Sequence, residues 1–226
     1  MIVAIDGPAG AGKSTVARAL ARRLGARYLN TGAMYRALTW LALERGVAPS
    51  DGPALAALAA ENPVRLEPAD GGERVLAGGR DLSARIRAPE VTRHVSEVSA
   101  HRDVRAAMVG VQRALMAHGD WVSDGRDVGS VVWPDAEVKV YLDATAGERA
   151  RRRREELAAQ GIDLDEPEVQ ADIERRDRFD RTRAESPLVV ADGAVVIDST
   201  DLAPEEVVEL IAGLVARAGG EPVPRG

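Results

Sequence analysis

Apolar runs of four or five residues alternate with helical patterns over most of the chain. The run Ile2–Ile5 is typical of a buried parallel strand, and Val16, Ala17, Leu20 and Leu24 follow it at the spacing of one helix face. Further strands are predicted at Arg27–Asn30, Trp121–Asp124, Val138–Leu142 and Ala194–Ile197. Because strands that alternate with helices form parallel sheets covered on both faces, the pattern predicts a three-layer α/β fold with a five-stranded parallel sheet.

Polar residues follow several of these predicted strands. They are Asn30, Thr31, the run from Asp124 to Asp127, Asp143, Asp198 and Ser199. Ligands of doubly wound folds bind beyond the carboxyl ends of the strands. We therefore expect the functional site at this edge of the sheet.

Two segments interrupt the alternation. Residues 62–87 predict a small β insertion, in which Val64–Glu67 and Arg74–Ala77 flank a hairpin turn at Asp70, Gly71 and Gly72. Residues 149–187 are intensely charged, and the stretch 175–183 has almost no apolar side chain to bury. Such a segment is costly to order without an anion, so we interpret 149–187 as an arginine-rich helical lid that closes over phosphates. For the first arginine run, 151–154, a solvated helix face is an open alternative.

These segments define the predicted organisation of a single chain, residues 1–226. The core comprises 1–61, 88–148 and 188–220, the β insertion comprises 62–87, and the lid comprises 149–187.

The stretch from Pro89 to Gly119 is predicted to be helical. Its main apolar stripe, expected to belong to the core, consists of Val104, Met108, Val111 and Leu115. Arg105 and Gln112 share another face. From the residues alone, Ser96 and Arg105 are expected at the surface.

Residues Gly7 to Ser14 read G-P-A-G-A-G-K-S and fit the phosphate-loop pattern G-x-x-x-x-G-K-[ST] between a strand and a helix. The glycines let several backbone N–H groups point at one anion, and the helix N-terminus adds a positive dipole end. Ser14 can offer its hydroxyl to Mg²⁺. The chain has 30 Lys and Arg residues, of which only Lys13 and Lys139 are lysines. A compact ammonium acts as a point charge between phosphates, whereas a planar guanidinium has a different shape, so we expect position 13 to require lysine.

The composition of the chain disfavours several kinds of binding site and partner. The net charge of −6 disfavours a nucleic-acid-binding surface, and the absence of cysteine excludes disulfides and thiolate metal sites. Three scattered histidines disfavour a histidine metal cluster. The chain has no membrane-spanning apolar run and no signal-peptide pattern, so we expect a cytoplasmic protein without a membrane or nucleic-acid partner.

Phosphoryl transfer requires positioning and charge neutralisation rather than covalent help. A phosphate acceptor is already an anion, so it needs no general base, and no histidine is placed for that task. The lid would exclude water, which would otherwise accept the phosphoryl group.

Four stretches together resemble the bacterial cytidylate kinase family. They are Gly7–Thr15, T-G-A-M-Y-R at 31–36, D-G-R-D-V-G at 124–129 and R-D-R-F-D-R-T-R-A-E-S-P-L at 176–188. The resemblance runs through nearly the whole chain, including the β insertion. It implies transfer of a phosphoryl group from ATP to CMP or dCMP, with Mg²⁺ as cofactor, and we expect a monomer.

The resemblance also implies roles for individual residues. The residues implied to wrap the ATP phosphates are Gly7, Pro8, Ala9, Gly10, Ala11, Gly12, Lys13, Ser14 and Thr15, with Ser14 at the metal. The residues implied to bind the acceptor are Thr31, Tyr35, Arg36, Ser96, Arg105, Arg126, Asp127, Arg176, Asp180 and Arg183. Among these, Arg36, Arg126 and Arg183 would bind its phosphate, Ser96, Arg105 and Asp127 would recognise cytosine, and Arg176 and Asp180 would hold the sugar. The catalytic set would be Lys13, Arg126, Asp180 and Arg183. Which of Arg149, Arg152 and Arg153 reaches ATP is left open.

Three other functions remain as alternatives. A kinase for uridylate, thymidylate, adenylate or shikimate would share the fold, but D-G-R-D-V-G and the β insertion argue against it. A nucleotide-dependent switch would normally carry an Asn-Lys-x-Asp motif, which this chain lacks. A motor-type ATPase on nucleic acid is disfavoured by the net negative charge.

Overall fold

The structure of the protein is a computed structural model that describes residues 1–69, 72–159 and 161–219. It divides into two compact units. Unit 1 comprises Met1–Tyr28, Gly119–Thr182 and the described residues from Pro187 onward. Unit 2 comprises the described residues of Leu29–His118 together with Arg183–Ser186.

Unit 1 is built around a five-stranded sheet. The elements that lie in unit 1 or begin there are β1 (Ile2–Asp6), α1 (Lys13–Leu24), β2 (Arg27–Asn30), β6 (Trp121–Gly125), a π-helical turn (Val128–Val132), β7 (Val138–Asp143), α6 (Ala146–Ala158), α7 (Glu166–Thr182), β8 (Val195–Asp198) and α8 (Pro204–Ala218). The strand order is β2–β6–β1–β7–β8, and the pairs β1–β6, β1–β7 and β7–β8 are parallel. All five predicted strands are present within a residue or two of their predicted bounds, and the predicted α/β fold is confirmed.

The core of unit 1 follows from the position of β1 between β6 and β7. Every residue of β1 is buried, because a central parallel strand has both faces covered. Helices α1 and α8 cover the sheet with apolar side chains such as Leu20 and Ile211, which are fully buried. This arrangement holds the carboxyl ends of β1, β6 and β7 side by side.

A second, smaller core lies beneath helices α6 and α7. It consists of Ala9, Ala150, Leu157, Val169 and Ile173. The second charged stretch has few apolar side chains, yet its polar residues Arg176, Asp177 and Asp180 are buried. Asp177 and Asp180 are buried in ion pairs with Arg149 and Arg126, which the apolar pattern does not reveal. Whether α6 and α7 move as a lid stays a prediction.

Unit 2 is mainly helical and carries its own small sheet. Its elements are α2 (Thr31–Glu44), α3 (Gly52–Glu61), β3 (Arg65–Ala69), β4 (Gly72–Ala77), β5 (Arg80–Asp81), α4 (Pro89–Val98) and α5 (Arg102–Met116). Strands β3, β4 and β5 form an antiparallel sheet in that order. The predicted hairpin strands therefore exist, while residues 70 and 71 of the predicted turn lie outside the described residues.

The predicted helical stretch after Pro89 is two helices. Helix α4 ends at Val98, and His101 has an extended backbone (ψ 127°) before α5 begins. Val104 and Met108 are buried as predicted, whereas Val111 and Leu115 are only half-buried. Ser96, Arg105 and Gln112 are buried, so the expectation that Ser96 and Arg105 lie at the surface was wrong. Among the described residues no helix is both long and apolar enough to span a membrane.

Candidate active site

The loop from β1 to α1 passes close to two other backbone segments. A Cβ on Gly7, whose φ is +149°, would lie 2.0 Å from the carbonyl oxygen of Leu142 at the end of β7. A Cβ on Gly10, whose φ is +77°, would lie 2.8 Å from the carbonyl oxygen of Arg149. Both positions therefore require glycine, for conformation and for space. The phosphate-loop pattern corresponds to a real strand–loop–helix unit.

Lys13 is the first residue of α1 and is buried. Its Nζ donates a hydrogen bond to the carbonyl oxygen of Pro8, so the side chain folds back over the loop. Burial, reinforced by repulsion from Arg126, lowers the pKa of Lys13 to about 7. Asp124, Asp177 and Asp6 raise this pKa but do not offset burial. An anion that binds beside Lys13 would favour its charged form.

Ser14 lies beside a carboxylate at the end of the neighbouring strand. Its Oγ donates to Oδ2 of Asp124 at 2.8 Å, and the Tyr28 hydroxyl donates to Oδ1 of Asp124 at 2.7 Å. Asp124 is buried on β6. A serine hydroxyl and a carboxylate are oxygen ligands of the kind Mg²⁺ prefers. The residues present therefore fit a magnesium ion beside the loop.

Arg126 follows directly after β6 and lies near other positively charged side chains. Arg126 Nε donates to Oδ2 of Asp180 at 2.8 Å. Burial lowers the pKa of Arg126, but the hydrogen bond and attraction of Asp180, together with the attraction of Asp177 and Asp124, outweigh it and leave the pKa raised. Arg176 is buried near Arg126. Its pKa is lowered mainly by burial and also by repulsion from Arg126. Unit 1 thus holds Lys13, Arg126 and Arg176 as one electrostatically coupled group, with Asp127 buried next to Arg126 in the chain.

Helices α6 and α7 are tied to the phosphate loop by a buried ion pair. Arg149 Nη1 pairs with Oδ2 of Asp177 and donates to the carbonyl oxygen of Ala9 at 3.0 Å. Asp177 Oδ1 accepts the Ala9 N–H at 3.1 Å. Arg152 donates to the carbonyl oxygen of Ser199 at 2.6 Å, while Arg153 pairs with Glu156 on its own helix. Of the three arginines left open by the sequence, Arg149 therefore belongs to this ion pair.

Breaking the buried pair is expected to destabilise the protein strongly. The variant Arg149→Ala leaves Asp177 buried without its counter-ion, which should lower the free energy of unfolding by about 3–5 kcal/mol. Arg151→Ala is the matched control, because Arg151 is an exposed arginine on the same helix paired with Glu148 and Glu155, and it should cost less than about 1 kcal/mol. Urea unfolding measures both; equal effects of the two variants would contradict the assignment.

Unit 2 brings together a second set of predicted acceptor residues. Ser99 links them: its carbonyl oxygen accepts from Arg105 Nη1 at 3.1 Å, its Oγ accepts from Arg183 Nη1 at 3.4 Å and donates to the Ser96 carbonyl oxygen at 3.0 Å. The Arg105 guanidinium stacks 5.4 Å from the centre of the Tyr35 ring. Four predicted residues therefore share one buried cluster in this unit.

The remaining predicted acceptor residues of unit 2 lie on α2. Thr31 is its first residue and is buried. Arg36 is half-buried and donates to the carbonyl oxygen of Ile86 at 3.1 Å and to the Thr92 hydroxyl at 2.9 Å. The Arg36 side chain is thus held in place within unit 2.

A family model described as cytidylate kinase matches residues 3–217. The chain belongs to the cytidylate kinase family. The resemblance inferred from the four sequence stretches is confirmed.

Curated relatives agree with this assignment. The chain is 46% identical over 217 residues to a cytidylate kinase of Carboxydothermus hydrogenoformans, covering 96% of this chain and 98% of the relative. It is 49% identical over 215 residues to a cytidylate kinase of Pelotomaculum thermopropionicum, covering 95% of each. It is also 50% identical over 215 residues to a bifunctional pantoate ligase/cytidylate kinase of Synechococcus sp. (strain CC9902), covering 94% of this chain and 44% of the relative. The chain thus spans about half the length of the bifunctional relatives it matches.

A solved structure is similar in fold alone. An uncharacterized protein from Eubacterium ventriosum ATCC 27560 aligns with a TM-score of 0.51 at 12% identity, covering 95% of this chain and 98% of that chain.

Sequence reasoning missed three residues of this cytidylate kinase family member. Asp124 and Asp177 lie within the stretches that carry the resemblance, and Asp124 also ends a predicted strand, but neither was assigned a role. Ser99 gave no signal, because its sequence neighbourhood does not reveal that it accepts from Arg105 and Arg183. The roles inferred for the predicted site residues stay predictions.

Proposed function

We propose that this chain transfers the γ-phosphoryl group of ATP to CMP or dCMP, forming ADP and CDP or dCDP, with Mg²⁺. The observation that carries the proposal is the coupled group of Lys13, Arg126 and Arg176 beside a glycine-rich loop and a Ser14–Asp124 pair. Membership of the cytidylate kinase family and the relatives that bear that name support the choice of acceptor.

The phosphate loop would bind ATP, the phosphoryl donor. Its backbone N–H groups and the N-terminus of α1 would bind the ATP phosphates, with Lys13 as a point charge between them. Ser14 and Asp124 would hold Mg²⁺, which when bound supplies charge neutralisation at the phosphates. Lys13 and the loop amides would then stabilise the charge that develops as the phosphoryl group moves.

The family resemblance assigns acceptor-binding roles within each unit. In unit 1, Arg126 would bind the acceptor phosphate, Asp127 would accept a hydrogen bond from the cytosine amino group, and Arg176 and Asp180 would hold the sugar. In unit 2, Arg36 and Arg183 would bind phosphate, Ser96 and Arg105 would recognise the base, and Thr31 and Tyr35 would support them. The acceptor phosphate is itself the nucleophile, so none of these residues has to remove a proton.

Turnover with a panel of acceptors tests the proposal. ADP formation from Mg·ATP is measured with CMP, dCMP, UMP, AMP, GMP, dTMP and shikimate. Fast turnover with CMP and dCMP and slow turnover with the others is the expected result. Preference for another acceptor would refute the base-reading roles of Asp127 and Arg105. ATP hydrolysis without transfer to any acceptor would favour a nucleotide switch instead.

Binding of Mg·ATP at pH 8 is expected to take up a proton. The pKa of Lys13 is about 7, so at pH 8 most Lys13 side chains are neutral before binding. Nearby phosphates raise this pKa because they favour the charged form, and the side chain then gains a proton. Calorimetric titration in two buffers of different ionisation enthalpy measures the uptake, which Lys13→Met should abolish. Equal binding enthalpies in the two buffers would contradict the assignment.

The cytoplasmic location, the monomeric state and the absence of nucleic-acid and membrane partners stay predictions from the sequence. So does the division into core, β insertion and lid.

A further inference from the structure

Asp6 is a buried carboxylate to which the sequence assigned no role. It is the last residue of β1, is 4% exposed and directly precedes Gly7 of the phosphate loop. In the sheet it lies opposite Gly125 of β6 and Tyr141 of β7. The strand on which it sits is the central one of the sheet, so its backbone is fixed on both sides.

Both carboxylate oxygens of Asp6 bind the segment that follows β6. Oδ1 accepts the N–H of Val128 at 2.8 Å, and Oδ2 accepts the N–H of Gly129 at 2.7 Å. These are consecutive backbone groups at the start of the π-helical turn that follows Asp127. One side chain thus anchors two adjacent amides of a neighbouring loop.

This contact replaces the usual way of capping a helical turn. The first N–H groups of a helical segment are normally satisfied by the side chain of the residue at its N-cap. Asp127 occupies that position, but its side chain does not cap the turn. Asp6 satisfies the amides of Val128 and Gly129 instead.

Burial disfavours the charged form of the Asp6 carboxylate, and the neighbouring atoms leave little space around it. Burial raises the pKa of Asp6 to about 7, against the opposing effect of the two N–H bonds. A Cβ on Gly129 would lie 3.4 Å from Oδ2 of Asp6 and 3.4 Å from the Lys139 side chain. A carboxylate kept in such a place stabilises a particular loop geometry rather than the sheet in general.

We propose that Asp6 is a positioning residue, which fixes Arg126 and Asp127 relative to the phosphate loop by holding the amides of Val128 and Gly129. The proposal rests on the proposed function, in which Arg126 and Asp127 bind the acceptor and the loop binds the donor. Asp6 is linked to Gly7 by a peptide bond and to Val128 and Gly129 by hydrogen bonds from its side chain. It therefore sets the distance between the loop that binds ATP and the residues Arg126 and Asp127 that bind the acceptor. An error of about 1 Å in such a distance lowers transfer about 100-fold.

The variant Asp6→Asn tests this role. Its side-chain oxygen can accept one N–H, but its NH₂ group faces the other N–H, so one of the two bonds is lost. We expect kcat/KM for CMP to fall about 100-fold, with a higher KM for CMP and weaker discrimination against UMP. The affinity for a non-hydrolysable Mg·ATP analogue should change less than about threefold, since the Asp6 carboxylate binds the amides after β6 and its attraction for Lys13 is weaker than that of Asp124 or Asp177. In amide NMR spectra, the resonances of Val128 and Gly129 should move upfield as their charge-assisted bonds weaken.

Asp51→Asn is the matched control. Asp51 is the N-cap of α3 in unit 2, and its Oδ1 accepts the N–H of Ala54 at 3.0 Å. Its replacement should leave kcat/KM for CMP within about threefold of the wild type.

The possible results distinguish a positioning role of Asp6 from a purely stabilising role, and they distinguish both from a failure of the proposed kinase function. Wild-type kinetics for Asp6→Asn, or equal losses of CMP and ATP-analogue binding with a lower melting temperature, would overturn the positioning role. If Asp6→Asn does not fold, Asp6→Ser retains one acceptor oxygen without the charge and is tested in the same way, and failure of both variants to fold would also overturn it. Absence of CMP turnover by the wild type would instead refute the proposed function, and the Asp6 variants would then be assayed with the acceptor that is turned over.

Discussion

Replacement of Lys13 by either alanine or arginine is expected to lower kcat for CMP phosphorylation by about 100-fold to 1,000-fold. Alanine removes the charge that stabilises the transferring phosphoryl group. Arginine keeps a positive charge, but its planar guanidinium is larger than an ammonium and cannot occupy the buried place over the loop where Nζ contacts the Pro8 carbonyl oxygen. Steady-state kinetics at saturating ATP and CMP measure both effects.

Lys139→Arg is the control for this prediction, because Lys139 is the other lysine of the chain. Lys139 is half-buried, but its Nζ donates an exposed hydrogen bond to the carbonyl oxygen of Asp192, so arginine should be tolerated there with kcat within about twofold. A Lys13→Arg variant with the activity of Lys139→Arg would refute the requirement for a point charge at position 13.

Replacement of Arg126 by alanine is expected to lower kcat/KM for CMP by about 100-fold or more. Arg126 is the cation nearest in the chain to Asp127 and is oriented by its 2.8 Å bond to Asp180. Its loss removes a proposed contact with the acceptor phosphate and frees Asp180 from its fixed partner. Arg126→Lys should recover part of the loss, since it restores the charge without the two-pronged geometry.

Arg175→Ala provides the matched comparison for Arg126. Arg175 is an exposed arginine that pairs with Asp172 on the same helix, and exposed helical pairs contribute little. Its replacement should change kcat/KM for CMP less than about twofold. Unfolding curves recorded alongside show whether a loss of activity reflects a loss of folded protein. An Arg126→Ala variant that is folded and fully active would remove Arg126 from the proposed site.

The sheet and the phosphate loop could be predicted because their signals are local. The buried parallel strand β1 is apolar over its first four residues, and the loop after it needs glycine at Gly7 and Gly10 for reasons that a short motif records. The family could also be inferred from four short stretches. Each of these features lies within a few neighbouring residues.

The buried polar contacts could not be predicted because they are tertiary. Arg105 is 4% exposed, although apolar periodicity places it away from the main apolar stripe of its helix. Its partner Ser99 lies between α4 and α5, and its other partner Tyr35 lies on α2. In the same way, Arg149 and Asp177 are 28 residues apart, and nothing in either local sequence indicates the pair. Hydrophobic patterns report where apolar side chains go, but not which charged side chains are buried against each other.

Tracking the γ-phosphoryl group of ATP tests the central claim most directly. The protein is incubated with Mg²⁺, CMP and ATP labelled at the γ-phosphate, and the labelled products are separated. The account predicts that the label appears in the β-phosphate of CDP, in equal amount to the ADP formed. Label released as inorganic phosphate, or found on neither CMP nor dCMP when each is supplied, would contradict it.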